Sequence, residues 1–139
     1  MLVDLTGLDS APISNNSVID PNRYIGVIEK IEEVTSSKKG TPGINIDYRI
    51  ENGPVQVSGA SAIGRHVFQS IWVPNEPGKG RDIGLSRVAR LFHACGVDRS
   101  SMDISLLRGK SVLITVGKRT YNGEESNEVT DTKPVPSGM

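Results

Sequence analysis

Tyr24–Val34, YIGVIEKIEEV, is the stretch whose reading decides the fold. EKIEE taken alone is a helix-forming run. Gly26 and the β-branched residues around it disfavour a helix and suit a pleated strand. As a strand it places Ile25, Val27 and Ile31 on one face, with Glu29 interrupting the alternation. Tyr24, Ile28, Lys30 and Glu32 occupy the other face. If this element is a strand, the chain opens an all-β domain. If it is a helix, that architecture fails at its first element.

Working outward, Thr35–Gly43 (TSSKKGTPG) has the glycine, proline and hydroxyl content of a loop. Ile44–Glu51 (INIDYRIE) then alternates cleanly, with Ile44, Ile46, Tyr48 and Ile50 on one face and Asn45, Asp47, Arg49 and Glu51 on the other. Asn52–Pro54 turns the chain, Val55–Ser58 can extend the sheet as a short segment, and Gly59–Gly64 is loop-like. Arg65–Val73 (RHVFQSIWV) alternates again. Val67, Gln69, Ile71 and Val73 oppose His66, Phe68, Ser70 and Trp72. Between Asp82 and Cys95, Leu85, Val88, Leu91, Phe92 and Cys95 form one helical stripe, with Arg87 and Arg90 off it. Asp82 is read as its cap and Gly96 as its stop. A shorter helical turn falls at Asp103–Leu107. Lys110–Lys118 (KSVLITVGK) is a strand, Tyr121–Gly123 a loop, and Ser126–Lys133 a last strand.

The order is strand, strand, strand, helix, strand, strand. That is the order of an OB-fold, a five-stranded, partly open Greek-key barrel. The expected fold class is therefore mainly β, an OB-fold-like barrel with one α-helix between strands three and four. The expected organisation is an N-terminal arm over residues 1–22, one domain over 23–134 and a short tail over 135–139.

The chain's 139 residues suit one domain. No apolar run reaches the roughly 20 residues of a membrane span. The start carries Asp4 and Asp9 and no basic residue, unlike a secretory signal. Cys95 is the single cysteine, and a reducing cytoplasm is the expected setting. Lys plus Arg number 16 and Asp plus Glu 16, so affinity for nucleic acid cannot come from net charge and must come from placement. Catalytic and metal sites are not expected. His66 and His93 lie in different elements, Cys95 has no CxxC partner, and Gly78–Gly80 lacks the spacing of a phosphate loop.

A set of phrases in fixed order carries a resemblance. They are Lys39–Thr41, Gly64–Phe68, Ile71–Trp72, Leu91–Val97, Leu107–Lys110, Val116–Gly123 and Asn127–Val129. In this order they resemble a family of small bacteriophage proteins, long catalogued as of unknown function. These are usually encoded beside recombination genes and regarded as single-stranded DNA-binding proteins. The likeness runs from about Tyr24 to Pro134. It implies an OB-fold, sequence-tolerant binding of single strands, and a role in phage DNA replication or recombination, in the host cytoplasm and alongside phage proteins of those pathways. Pro54–Ile63 is longer than is usual for the family. The tail, Pro134–Met139, carries no acid and so lacks the acidic partner-recruiting end of many such proteins.

Single-strand binding needs cations along the phosphates and flat π-surfaces for unstacked bases. The candidate cations are Lys38 and Lys39 in the first hairpin loop, Lys118 and Arg119 at the start of the loop between strands four and five, and Arg49. Arg49 has the competing role of pairing with Asp47 or Glu51. The candidate stacking residues are Trp72, on a strand face that Val67, Ile71 and Val73 leave spare, and Tyr121 in a polar loop. Phe68 shares the face of Trp72, and Tyr48 belongs with the core. No enzyme activity, cofactor or membrane contact is expected, and a homo-oligomer is left open. Two rival readings stand beside this one: a barrel that docks proteins or serves structure, and an RNA-binding OB module.

Overall fold

The computed structural model describes residues 4–6 and 18–136. Most of the expected arm and the last residues of the tail therefore lie outside the described residues. Five antiparallel strands form one sheet, β1 (Asn22–Thr35), β2 (Pro42–Asn52), β3 (His66–Trp72), β4 (Ser111–Tyr121) and β5 (Glu124–Lys133), in the order β3-β2-β1-β4-β5. One α-helix, α1 (Lys79–Cys95), joins β3 to β4, followed by two short 3₁₀ turns at Arg99–Ser101 and Ile104–Leu107. The chain is mainly β, with one helix after the third strand. No ladder joins the two edge strands among the described residues, so hydrogen bonds do not close the sheet into a barrel. The sheet nevertheless curls. The edges β3 and β5 come into contact, and α1 packs against both.

Tyr24–Val34 is a strand, but its faces differ from the simple alternation. Tyr24, Gly26 and Ile28 point into the core, not Val27. The register of β1 on β2 slips between Ile28 and Lys30, leaving Glu29 as an extra residue. Such a bulge inverts the parity of everything after it. Ile31 thereby packs on the same core side as Ile28. Gly26 suits the close packing at this point. A Cβ there would lie 3.2 Å from both Ile114 Cδ1 and Tyr48 Cβ, so those neighbours would have to give by a few tenths of an ångström.

The core is built from the faces that alternation assigned on the other strands: Ile46, Tyr48 and Ile50; Val67 and Ile71; Val112, Ile114 and Val116. Leu91 and Phe92 of α1 cover the same core. The Tyr48 hydroxyl keeps a hydrogen bond inside, donating to Gln69 Oε1 at 2.6 Å. Burial holds its proton well above the usual phenol range. The helix begins at Lys79, three residues before the expected cap, with Gly78 at the cap position and Asp82 within the first turn. It stops at Gly96, whose φ of 69° is the left-handed turn that ends many helices. Gly84 sets its seating. A Cβ there would fall 2.2 Å from the Trp72 carbonyl oxygen, so only glycine lets the helix lie against the end of β3.

The last part of the expected arm belongs to the domain. Ile19 is buried, and its backbone is clamped by the Asn127 amide, which accepts from Ile19 N at 2.9 Å and donates to Ile19 O at 2.9 Å. Beside it the Tyr24 hydroxyl donates to Asp20 O at 2.7 Å, and the Gln56 side chain donates to that hydroxyl at 2.9 Å. Val55–Ser58 is a turn, not a strand.

Candidate nucleic-acid interface

Alternation along β3 sends Val67 and Ile71 inward and leaves Phe68 63% and Trp72 41% exposed on the outer face. The two rings stand four residues apart on one side of one strand, about 13 Å along it. A groove of about 560 Å³ runs beside them, where β3, α1 and β5 meet. Phe68, Ser70 and Trp72 form one bank, Arg87 and Arg90 of α1 the second, and Arg119, Glu128 and Asp131 the third. Arg90 lies 3.9 Å from Asp131. Among the described residues Arg87 and Arg119 make no ion pair, so their charge is available to a ligand.

Trp72 owes its position to glycine. In the β2–β3 ladder it is paired with Gly43, and a Cβ on Gly43 would lie 2.5 Å from the indole. The ring therefore sits against the bare backbone of Gly43 while staying 41% exposed. Lys38 and Lys39 are exposed in the loop just before Pro42 and Gly43, so that loop leaves the sheet at the Trp72 end of the groove.

The other expected residues are placed differently. Lys118 and Arg119 are not in a loop. Asn122 and Gly123, with φ of 52° and 80°, make a two-residue turn, so both strands run up to it. Asn-Gly favours this turn because both residues tolerate positive φ. Lys118 has Glu125 Oε2 at 3.9 Å and does not line the groove, whereas Arg119 does. Tyr121 is the last residue of β4, opposite Glu124, and not a loop residue; its side chain lies outside the described residues. Arg49 stands away from the groove. Its guanidinium meets Glu29 Oε1 at 3.5 Å, not Asp47 or Glu51. The bulge at Glu29 brings that carboxylate to Arg49, an event invisible in the sequence.

The same bulge builds a cluster that sequence reading missed. His66 Nδ1 lies 2.6 Å from Asp47 Oδ1, and His66 Nε2 lies 3.5 Å from Glu29 Oε2. Ligand atoms of Glu29, Asp47 and His66 fall within 4.8 Å of one another, close enough to suggest a cation site. The geometry favours an ion-pair network instead. Each ring nitrogen already faces a different carboxylate, so one cation cannot take all three groups without turning the imidazole. Arg49 also supplies a positive charge to Glu29.

Sequence reading weighed Phe68 below Trp72 as a stacking residue and left it off the candidate site, and it did not consider Arg87 and Arg90 for it. The signals were present: Phe68 shares parity with Trp72, and the two arginines lie three apart on the polar side of α1. Among the described residues no helix is long and apolar enough to cross a membrane. A family model described as a protein of unknown function (DUF669) matches residues 6–138. No curated protein matches the chain.

Proposed function

The chain belongs to DUF669, a family described only as of unknown function, and from its site we propose that it binds single-stranded DNA without strong sequence preference. The observation that carries this reading is the pair Phe68 and Trp72, exposed on one strand face beside Arg87 and Arg119. Exposed aromatic rings on a sheet cost solvation unless something covers them. Unstacked bases are flat, apolar-faced and followed by a phosphate, which is the combination this groove offers. Two bases stack on Phe68 and Trp72. Their phosphates run on the α1–β5 side, toward Arg87 and Arg119. They avoid the β2 side, because Asp47 stands directly opposite Phe68 in the ladder.

The OB-fold reading belongs to the same proposal. A first strand paired with both the second and the fourth, edges β3 and β5 in contact, and a helix between strands three and four support it. The ordered phrases that resemble phage single-stranded DNA-binding proteins support a role in phage replication or recombination.

The test uses the one tryptophan as its own probe. Poly-dT is titrated at low and moderate salt. Stacking predicts quenching of Trp72, and phosphate contact predicts weaker binding at the higher salt. Absence of both effects removes the proposal. Competition with poly-U at equal length decides between DNA and RNA.

A further inference from the structure

A second groove, of about 680 Å³, lies between the far end of the β1–β2 hairpin and the apolar stripe of α1. Its floor is apolar, made of Val34, Ile44, Val88 and Phe92, and its walls include Leu85 and Met102, both exposed. Arg81 and Arg99 stand on its rim, with Glu33 as the one acid. Leu85 belongs to the apolar stripe of α1. It lines this groove and is left 45% exposed.

We propose that this groove receives the N-terminal segment of a second copy of the chain. The chemistry of that segment fits. Leu2–Asp9 reads LVDLTGLD, with leucines at every third position and Asp4 and Asp9 among them, and no Lys or Arg precedes Arg23. Leucines suit the apolar floor, and the acids suit Arg81 and Arg99. Leu5 is itself 47% exposed.

Geometry favours the second copy over the chain's own segment. Ile19 and Asp20 are tied to Asn127 and Gln56, next to the start of β1. The groove is built on Glu33, Val34 and Thr35, at the opposite end of that 14-residue strand. The strand is about 43 Å long at roughly 3.3 Å per residue. From Leu5 to Ile19 the chain can reach at most about 50 Å when fully taut. Docking in its own groove would need nearly that whole reach, pulled straight around the molecule. A neighbour placed end to end offers its groove without that stretch. The contact is head-to-tail, so each copy has one segment to give and one groove to fill.

The experiment is sedimentation velocity of the full chain over a wide concentration range, without nucleic acid. Its outcome is thereby independent of the DNA-binding reading. Three samples are compared: wild type, a segment variant (Leu5→Asp with Leu8→Asp), and a groove variant (Leu85→Asp with Met102→Asp). The groove positions are exposed, so that variant should fold, and circular dichroism melts check both. The wild-type average mass should rise above 15.0 kDa with concentration. Each variant alone should associate at least about tenfold more weakly, since leucine burial is lost. A one-to-one mixture should regain pairing and stop at the heterodimer, because the groove variant still has its segment and the segment variant its groove. A wild type that stays monomeric throughout, association that neither variant weakens, or a mixture that fails to pair would each overturn the proposal. A monomer whose segment is protected from exchange would show docking within one chain and overturn it equally.

Discussion

Phe68→Ala separates binding from folding better than any other change at this site. The ring is 63% exposed, so only about a third of it is buried. Full burial of a phenylalanine stabilises by about 1.5–3 kcal/mol, so truncation here should cost less than about 1 kcal/mol of stability. A base stacked on an aromatic ring contributes roughly 1–3 kcal/mol, which corresponds to about five- to a hundredfold in affinity. Anisotropy of a labelled dT oligomer reads the affinity, and a thermal melt reads the stability. The expected result is a large fall in affinity with the melt nearly unchanged. Val67→Ala gives the opposite pattern, because Val67 is 2% exposed on the inward face of the same strand. It should lower the melting point and leave the affinity of the folded protein alone.

Phe68→Leu sharpens the test. Leucine keeps an apolar side chain but has no flat π-face. If stacking holds the bases, Leu should bind about as poorly as Ala. If Leu restores wild-type affinity, the face is a hydrophobic docking patch and the nucleic-acid argument is wrong. Unchanged affinity in Phe68→Ala would refute it outright.

Three further outcomes follow from named contacts. Removing Arg87 and Arg119 together should flatten the log–log salt dependence of binding by about 1.4, at roughly 0.7 per phosphate contact on a single strand; parallel titrations at several salt concentrations read this. Gly43→Ala should push the indole off the strand, since its Cβ would lie 2.5 Å from the ring and 2.9 Å from Ile71 O. Overpacking of this kind costs about 1–3 kcal/mol, and the emission of Trp72 in the free protein should change before any ligand is added. Burial pushes the Cys95 thiol up to about 11 from its ordinary 9.0, so near neutral pH the native thiolate fraction falls about a hundredfold. Alkylation should be slow in the folded protein, rise with pH up to about 11, and become fast on denaturation.

How far the sequence can be read depends on which physical signal each feature leaves in it. Strands β2, β3 and β4 bury one face, and period-two alternation records that directly: Ile46, Tyr48, Ile50, Val67, Ile71, Val112 and Ile114 all lie where it put them. Gly96 marked the helix end because left-handed geometry selects glycine. The bulge at Glu29 leaves no such mark. An inserted residue does not change composition, yet it reverses the faces of β1 and hands Arg49 to Glu29. The turn at Asn122-Gly123 was legible as a hairpin signal. Reading it as a longer loop moved Lys118, Arg119 and Tyr121 off the strand on which they lie. The first helical turn was mislocated for a similar reason. Asp82 has the chemistry of a cap, but the chain turns at Gly78, where no side chain announces it.

Zero net charge counted against nucleic-acid binding while the chain was read as composition, and position reverses its weight. Two acids near the aromatic face have an arginine partner, Glu29 with Arg49 and Asp131 with Arg90, while Asp47 lies hydrogen-bonded to His66 on the β2 side. Arg87 and Arg119 are left over on one side of the rings. A phosphate near a groove of that kind responds to the charges within a Debye length of about 10 Å, here three arginines against Glu128 and Asp131, not to a sum taken over the whole chain. A neutral protein with such a groove should bind weakly through charge and chiefly through stacking. Its salt dependence should therefore be shallow relative to its affinity. A steep slope with no aromatic contribution would place the strand on the lysine loop at Lys38 and Lys39 and leave Phe68 and Trp72 to a different partner.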